Sequence, residues 1–515
     1  MTDEQPDAPT PPRVEASVSR SEAGHKWWMY ERPPAPRASP AHSPSNRPPA
    51  TSPEPSTPPA DDPVAVPEEV VAADAGSGKA GAVICAVLLI TAVLSAAAGS
   101  SGANVFLVPF AGVVGIAAFG RRCARTHPDE PFLLPLLVLG TLAKLVGSYA
   151  RYFTLTESYG GIGDATFYDQ IGAKLAIAWR GGDSYSLPDT QGSNFIRWFT
   201  GVVYYLFGRD MLMGFLVFGL LAVIGSYFWY RALVDAVPFI DKRLFLIFML
   251  FVPSIVFWPS SMGKEALMQL GVGALAWATS LLVQGRLTRA LLIGAPGGWL
   301  VYTVRPHLLA LVLIATGVAY FLGRVRRHDA GVMSFLSRPV GLVLVALIIS
   351  FTVTQGAQFL GIKSLSIASV EQELNNETAS TTQGSSSFQH GSNSLSPLAL
   401  PSGAVTVLLR PFPWEAGSSF QLLASLESMA LCVLIVVRRR SILVAVRKAR
   451  AYPFLLYCWT LLGLYALTFS SFGNFGLLNR ERSLVLPALY ALISIVPSRA
   501  EAAPEEPAAV AAGVT

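Results

Sequence analysis

Between Leu244 and Val283 the chain carries only two charged residues, Lys264 and Glu265, side by side near the middle of an otherwise apolar run. A helix needs about 20 apolar residues to cross a bilayer, and in hydrocarbon every backbone polar group has to be bonded within the protein. Read as helix, the run is therefore two crossings that meet at the tight turn PSSMGKEA. Ionisable residues at membrane depth are costly and tend to line cavities or bind something charged. The plainer reading is a hairpin turn, in which Lys264 snorkels to the interface and Glu265 favours the first turn of the next helix.

The same pattern recurs along the chain. Of its 515 residues, 52% are hydrophobic and 14% charged, against about 25% charged in soluble proteins. Mean hydropathy is +0.47. The expected fold class is all-α, a polytopic transmembrane bundle of about twelve spans (ten to twelve): 82–99, 103–120, 131–152, 211–231, 244–259, 266–283, 288–304, 308–323, 338–356, 419–437, 451–470 and 483–497. Around this domain (79–497), residues 1–78 are Pro/Ser/Ala-rich and cannot bury a core, so they are expected to be disordered, as is 498–515. The cysteines, Cys85, Cys123, Cys432 and Cys458, suggest neither a disulfide nor a metal site by spacing.

Lys and Arg in short loops set orientation. Arg121, Arg122 and Arg125, then Arg231, Lys242 and Arg243, then Arg286 and Arg289, then Arg324 to Arg338, then Arg438 to Arg450 all fall on one side of a twelve-span chain. That side is expected to be cytoplasmic, with both termini inside a multi-pass protein of the cell membrane. The net charge of +5 is read through this distribution, and no nucleic-acid partner is expected.

The opposite side collects the remaining polar features. Its first large loop, 153–210, contains GDATFYDQIGAKLAIAW, where Phe167, Ile171, Leu175 and Trp179 recur every four residues and predict a helix, with Asp164 placed to cap it. A second apolar stretch, Phe195 to Phe207, is too short to span, so both are expected to be juxtamembrane helices. GDATFYDQ sets Asp164, Tyr168 and Asp169 within two turns, a grouping suited to a general base or a metal ligand beside an acceptor hydroxyl. The turn VRPH contributes Arg305 and His307. The loop 357–418 ends in RPFPWE, with Arg410, an interface-anchoring Trp414 and Glu415. The turn NRERS holds Asn479, Arg480, Glu481 and Arg482. With Lys264 and Glu265 these predict a shared polar cavity that receives an anion. The bland alternatives are a helix cap for Asp164 and headgroup contacts for Arg480 and Arg482. No Walker-type ATP loop, HExxH or GxSxG appears, and no internal repeat marks a secondary transporter.

The stretch GDATFYDQIGAKLA resembles the first outer loop of the GT-C glycosyltransferases, polytopic enzymes that use polyprenyl-phosphate-linked sugars at the extracytoplasmic face. The order PSIVFWPSSMGKEA, VRPH, RPFPWEA, NRERS over roughly 130–497 is also similar to a group of actinobacterial integral membrane proteins. The GT-C resemblance implies a glycan or protein acceptor in cell-envelope polysaccharide biosynthesis. It implies an acidic base or metal holder at Asp164, with Asp169 second. Lys264, Arg305, Arg410 and Arg480 would take the lipid phosphate, and His307 would assist proton transfer. A divalent cation is left open. The alternatives are an O-antigen-type polysaccharide polymerase or ligase, and a non-enzymatic transporter or structural partner of the envelope machinery.

Overall fold

The computed structural model describes residues 102–323 and 400–502 apart from Pro188 and Ser471, together with the isolated positions Ser350 and Thr354. All lie within the unit Pro67–Thr515. The expected disordered tail 1–78, the expected spans 82–99 and 338–356, and most of the loop 357–418 lie outside the described residues.

Among the described residues the protein is helical. The elements are α1 (Ala103–Thr126), α2 (Leu133–Phe153), a π-turn (Thr154–Ser158), α3 (Asp164–Gly181), α4 (Ser193–Phe207), α5 (Met211–Ala236), α6 (Lys242–Phe251), α7 (Pro253–Phe257), α8 (Lys264–Val283), α9 (Leu287–Val304) and α10 (Pro306–Leu322). After the gap come α11 (Leu400–Leu409), a 3₁₀ turn (Pro413–Glu415), α12 (Ser419–Val437), α13 (Arg439–Lys448), α14 (Pro453–Phe469), α15 (Phe475–Arg482), α16 (Leu486–Ile493) and α17 (Pro497–Ala502). Helix α17 means that the tail expected from 498 begins with a helical turn. The only extended pairing among these residues is an isolated bridge, Ile240 to Ile495.

Among the described residues five helices are long and apolar enough to cross a membrane: α1, α2 with its π-turn, α5, α8 and α12. A sixth is reached if α13 and α14, bent by 112°, count as one span. The described residues do not confirm twelve crossings. The expected span 244–259 is broken at Val252, whose extended backbone precedes Pro253 at the start of α7. Proline has no N–H to give and breaks the helix preceding it. The expected span 483–497 reduces to α16, eight residues long, about 12 Å against a hydrocarbon core of about 30 Å. All eight are buried, so α16 is a core helix of the protein.

Two charges hold the break. The carboxylate of Glu427 on α12 accepts from the amide and hydroxyl of Ser254, at 2.8 and 2.5 Å. The ammonium of Lys144, fully buried on α2, donates to the carbonyl of Ile255. An anion meets the exposed amides of α7 and a cation its carbonyls, as the orphan groups and dipole of a short helix require. Lys144 is thus tied to a backbone oxygen.

The bundle centres on α5, α8 and α9. Helices α5 and α8 run parallel: Ser226 accepts from Gln269 at 3.0 Å and, further on, Asp235 accepts from Trp277 at 2.9 Å. Their backbones touch at Gly225, where an added Cβ would stand 2.4 Å from the Gln269 carbonyl. Small residues permit such approach between apolar helices. Gly225→Ala is expected to destabilise the bundle by about 1–3 kcal/mol through overpacking. Gly115→Ala, where nothing lies within 4 Å, is expected to stabilise by up to about 1 kcal/mol. Melting of the purified variants in detergent compares the two, and equal shifts would refute the close approach.

One end of the bundle is tied by Lys242, which bonds Asp129 and Glu130 at 2.6 and 2.8 Å, and by Arg231, which pairs with Asp235. These two cations, expected to orient the chain, are also internal ties. The candidate site lies at the other end.

Candidate anion site at the start of helix α8

Helices α3 and α4 form a hairpin whose leading residue is Asp164. Gly160 and Gly161, at φ 58° and 77°, make the turn before it, in the left-handed region that favours glycine. Asp164 forms no side-chain cap and its side chain is 64% exposed. The packed face of α3 is Ala165, Tyr168, Asp169, Gly172, Leu175 and Ala176. Of the expected stripe, Leu175 packs here while Phe167 faces outward. Helix α4 closes on that face, with Gly172 against Thr200 and Gly201 against Leu175. Phe195 meets Trp299 edge-on at 5.5 Å, and the Gly192 amide donates to Thr303 at 2.8 Å, docking the hairpin on α9.

Asp169 does not join Asp164. Its two oxygens accept from the Tyr204 hydroxyl and the Arg209 guanidinium, both at 2.7 Å. That hydrogen bond leads the effects that raise the Arg209 pKa above its ordinary value. Asp169 thus ties α3 to α4 and to the turn before α5. Among the described residues no group of three His, Cys, Asp or Glu is arranged to hold a metal ion.

The charges at the starts of α8 and α10 and at the end of α15 do converge. Glu265, buried in the first turn of α8, accepts through Oε1 from Arg305 Nη2 at 2.9 Å and from Arg480 Nε at 2.5 Å. Arg305 Nη1 reaches Glu481, which Tyr465 holds through hydrogen bonds of 2.9 Å to its carbonyl and 3.3 Å to its carboxylate. Arg480 then extends to Asp164, with Nη1 3.6 Å from Oδ2. Burial disfavours the Arg480 charge, but Glu265 outweighs it and raises the pKa above the ordinary value. Lys264 and His307 border this chain. Lys264 lies within electrostatic reach of Asp164, Glu265, Arg305 and Arg480, and His307 of Arg305 and Lys264. Tyr168 donates to Ser193 at 3.5 Å, and burial holds its hydroxyl pKa above the ordinary value.

Asp164, Lys264, Glu265, Arg305, His307 and Arg480 are therefore neighbours. Arg410 carries its own counter-ion, Glu415, at 2.5 to 3.2 Å, and lies 5.2 Å from the Phe475 ring. Trp414 is 76% exposed and stacks on Phe412 at 4.9 Å. Arg482 is buried and donates to Leu408 O, Arg410 O and Ser428 Oγ at 2.9 to 3.2 Å. Asn479 is buried with Oδ1 unbonded.

Two participants escaped the sequence reading. Glu481 was visible only as one charge among three in NRERS. Arg151 sits at the end of α2 within electrostatic reach of Arg480 and Glu265, and a single arginine closing an apolar run gives little signal. Chemically, the site offers one exposed carboxylate, two cations near it, and a buried Glu–Arg–Glu relay fixing one of those cations. No family model, curated protein or solved structure matches the chain.

Proposed function

We propose that the protein is a GT-C-type membrane glycosyltransferase. It would use a polyprenyl-phosphate-linked sugar at the extracytoplasmic face and a glycan or protein acceptor of the cell envelope. The observation that supports this reading best is the meeting of exposed Asp164 with Arg480, 3.6 Å apart, beside Lys264.

Sugar transfer breaks the bond between the anomeric carbon and a phosphate oxygen and forms one to an acceptor oxygen. The acceptor loses a proton, and the lipid phosphate gains a negative charge. Asp164 receives the proton or orients the hydroxyl that sheds it. Lys264 and Arg480 meet the charge developing on the phosphate. Glu265, Arg305 and Glu481 hold Arg480 in place, so its dipoles need no rearrangement during the reaction, and fixed charges in a water-poor pocket stabilise such a transition state strongly. His307, beside Lys264, is close enough to assist the proton transfer.

Asp164→Asn is expected to lower transfer about 10²- to 10⁴-fold and leave the melting temperature unchanged, because the side chain is mostly exposed. Transfer from a lipid-linked sugar to acceptor, measured in vesicles holding equal amounts of folded protein, checks this. Full transfer by Asp164→Asn would overturn the mechanism. Product length separates a single-sugar transferase from the polymerase or ligase alternative, whose expected acceptor loop lies mostly outside the described residues.

A further inference from the structure

The relay through Glu265 and Glu481 accounts for Arg305 and fixes Arg480 through its Nε. It leaves Lys264 and Arg151 without a carboxylate within ion-pair distance among the described residues. Lys264 follows from its place beside the relay. Arg151 is the less expected case.

The Arg151 guanidinium lies over two aromatic rings at once, 4.9 Å from the Phe257 centroid and 5.0 Å from that of Trp258. Those rings meet edge-on, 5.4 Å apart at 79°, and form a cleft at the end of α7. The Arg151 Nε is buried and has no hydrogen-bond partner. Aromatic faces attract a guanidinium but accept none of its strong N–H hydrogen bonds. A positive group that is stacked in place yet lacks an anion, and lies near Arg480, is pre-organised for a planar, bidentate acceptor such as phosphate.

We infer that Arg151, held by Phe257 and Trp258, is a binding residue for the phosphate group of the lipid-linked substrate, acting with Lys264 on the face of the site opened by Arg480. This rests on the glycosyltransferase reading for the identity of the substrate, though the phosphate site itself does not require sugar transfer. It also gives the FWPSS stretch before Lys264 a purpose: the broken helix ends in an aromatic platform beside the cation cluster.

The test is binding of geranylgeranyl phosphate to the purified full-length protein in neutral detergent, with geranylgeraniol as the probe lacking phosphate. Wild type is expected to bind the phosphate and to bind the alcohol much more weakly. Arg151→Gln is expected to weaken phosphate binding about ten- to a hundredfold, with no change for the alcohol. Arg151→Lys keeps the charge and loses the fork and part of the stacking, so an intermediate loss is expected; it also serves if the glutamine variant fails to fold. Wild-type affinity in either folded variant overturns the assignment, as does an equal loss for the alcohol. Equal displacement of the probe by phosphatidylglycerol overturns it in favour of bulk lipid headgroups, whereas displacement by inorganic phosphate alone at high concentration supports it. If phosphate binding follows this pattern while no sugar transfer is found, the glycosyltransferase reading fails and the phosphate site stands.

Discussion

Glu265→Gln is expected to lower stability by roughly 3–5 kcal/mol, the range for breaking a buried ion pair from one side. The substitution keeps the side chain's size and removes its charge. Oε1 of Glu265 receives both Arg305 Nη2 and Arg480 Nε, so one change strips a counter-ion from two guanidiniums. Arg305 keeps Glu481. Among the described residues Arg480 keeps the exposed Asp164 at 3.6 Å as its ion-pair partner, which solvent screens. Melting in detergent is expected to fall by about 5–15 °C. Adding Arg480→Met is expected to recover part of that loss, because most of the penalty lies in the uncompensated charge. A single variant that melts with wild type would show that the relay does not hold the three helices together.

The second large effect is expected at Arg482, which is buried and joins three elements. Its guanidinium donates to Leu408 and Arg410 at the end of α11 and to Ser428 on α12. Arg482→Leu leaves carbonyl and hydroxyl acceptors unbonded in an apolar setting, at about 1–3 kcal/mol each, so a loss of about 3–5 kcal/mol is expected. Transfer should fall with it, because α15 also carries Arg480 and Glu481. Arg482→Lys is expected to recover part of the loss, since all three bonds come from Nη1 and one ammonium carries three donors. Arg480→Gln should separate the two roles: a large loss of transfer with a smaller loss of melting temperature than Arg482→Leu. Equal losses in both assays for the two arginines would argue that α15 has one structural function only.

Arg480 and Arg482 show how far the site was legible in the sequence. They stand two apart in NRERS and look alike. On a helix, positions two apart do not face the same way. One therefore turns to Glu265 and Asp164, the other into the protein against α11 and α12. Asp164 and Asp169 divide in the same manner, one at the exposed start of α3 and the other bound by Tyr204 and Arg209. Lys264, Glu265, Arg305 and Arg480 were recognisable because each is a charge at the end of an apolar run. Arg410 gave the same signal and has Glu415 for itself. Arg151 gave almost none, because its meaning lies in Phe257 and Trp258, more than a hundred positions away.

The helices themselves divide along similar lines. Long apolar runs of about 20 residues are committed to helix by their own chemistry, so α1, α2, α5, α8 and α12 could be placed from composition, as could the helical character of α3 and α4. Helices α6, α7 and α16 could not be told from crossings, because a helix surrounded by protein and one surrounded by lipid have the same apolar composition. Only the packing of α16 with every residue buried, and the anchoring of α7 by Lys144 and Glu427, distinguish them. The sequence by itself determined that this chain is helical and apolar, and which ends of its runs carry charge. The tertiary structure decided which of those charges neutralise one another, since ion pairing depends on distances of a few ångströms between helices that are remote in the chain, and so it decided which cations remain for a ligand.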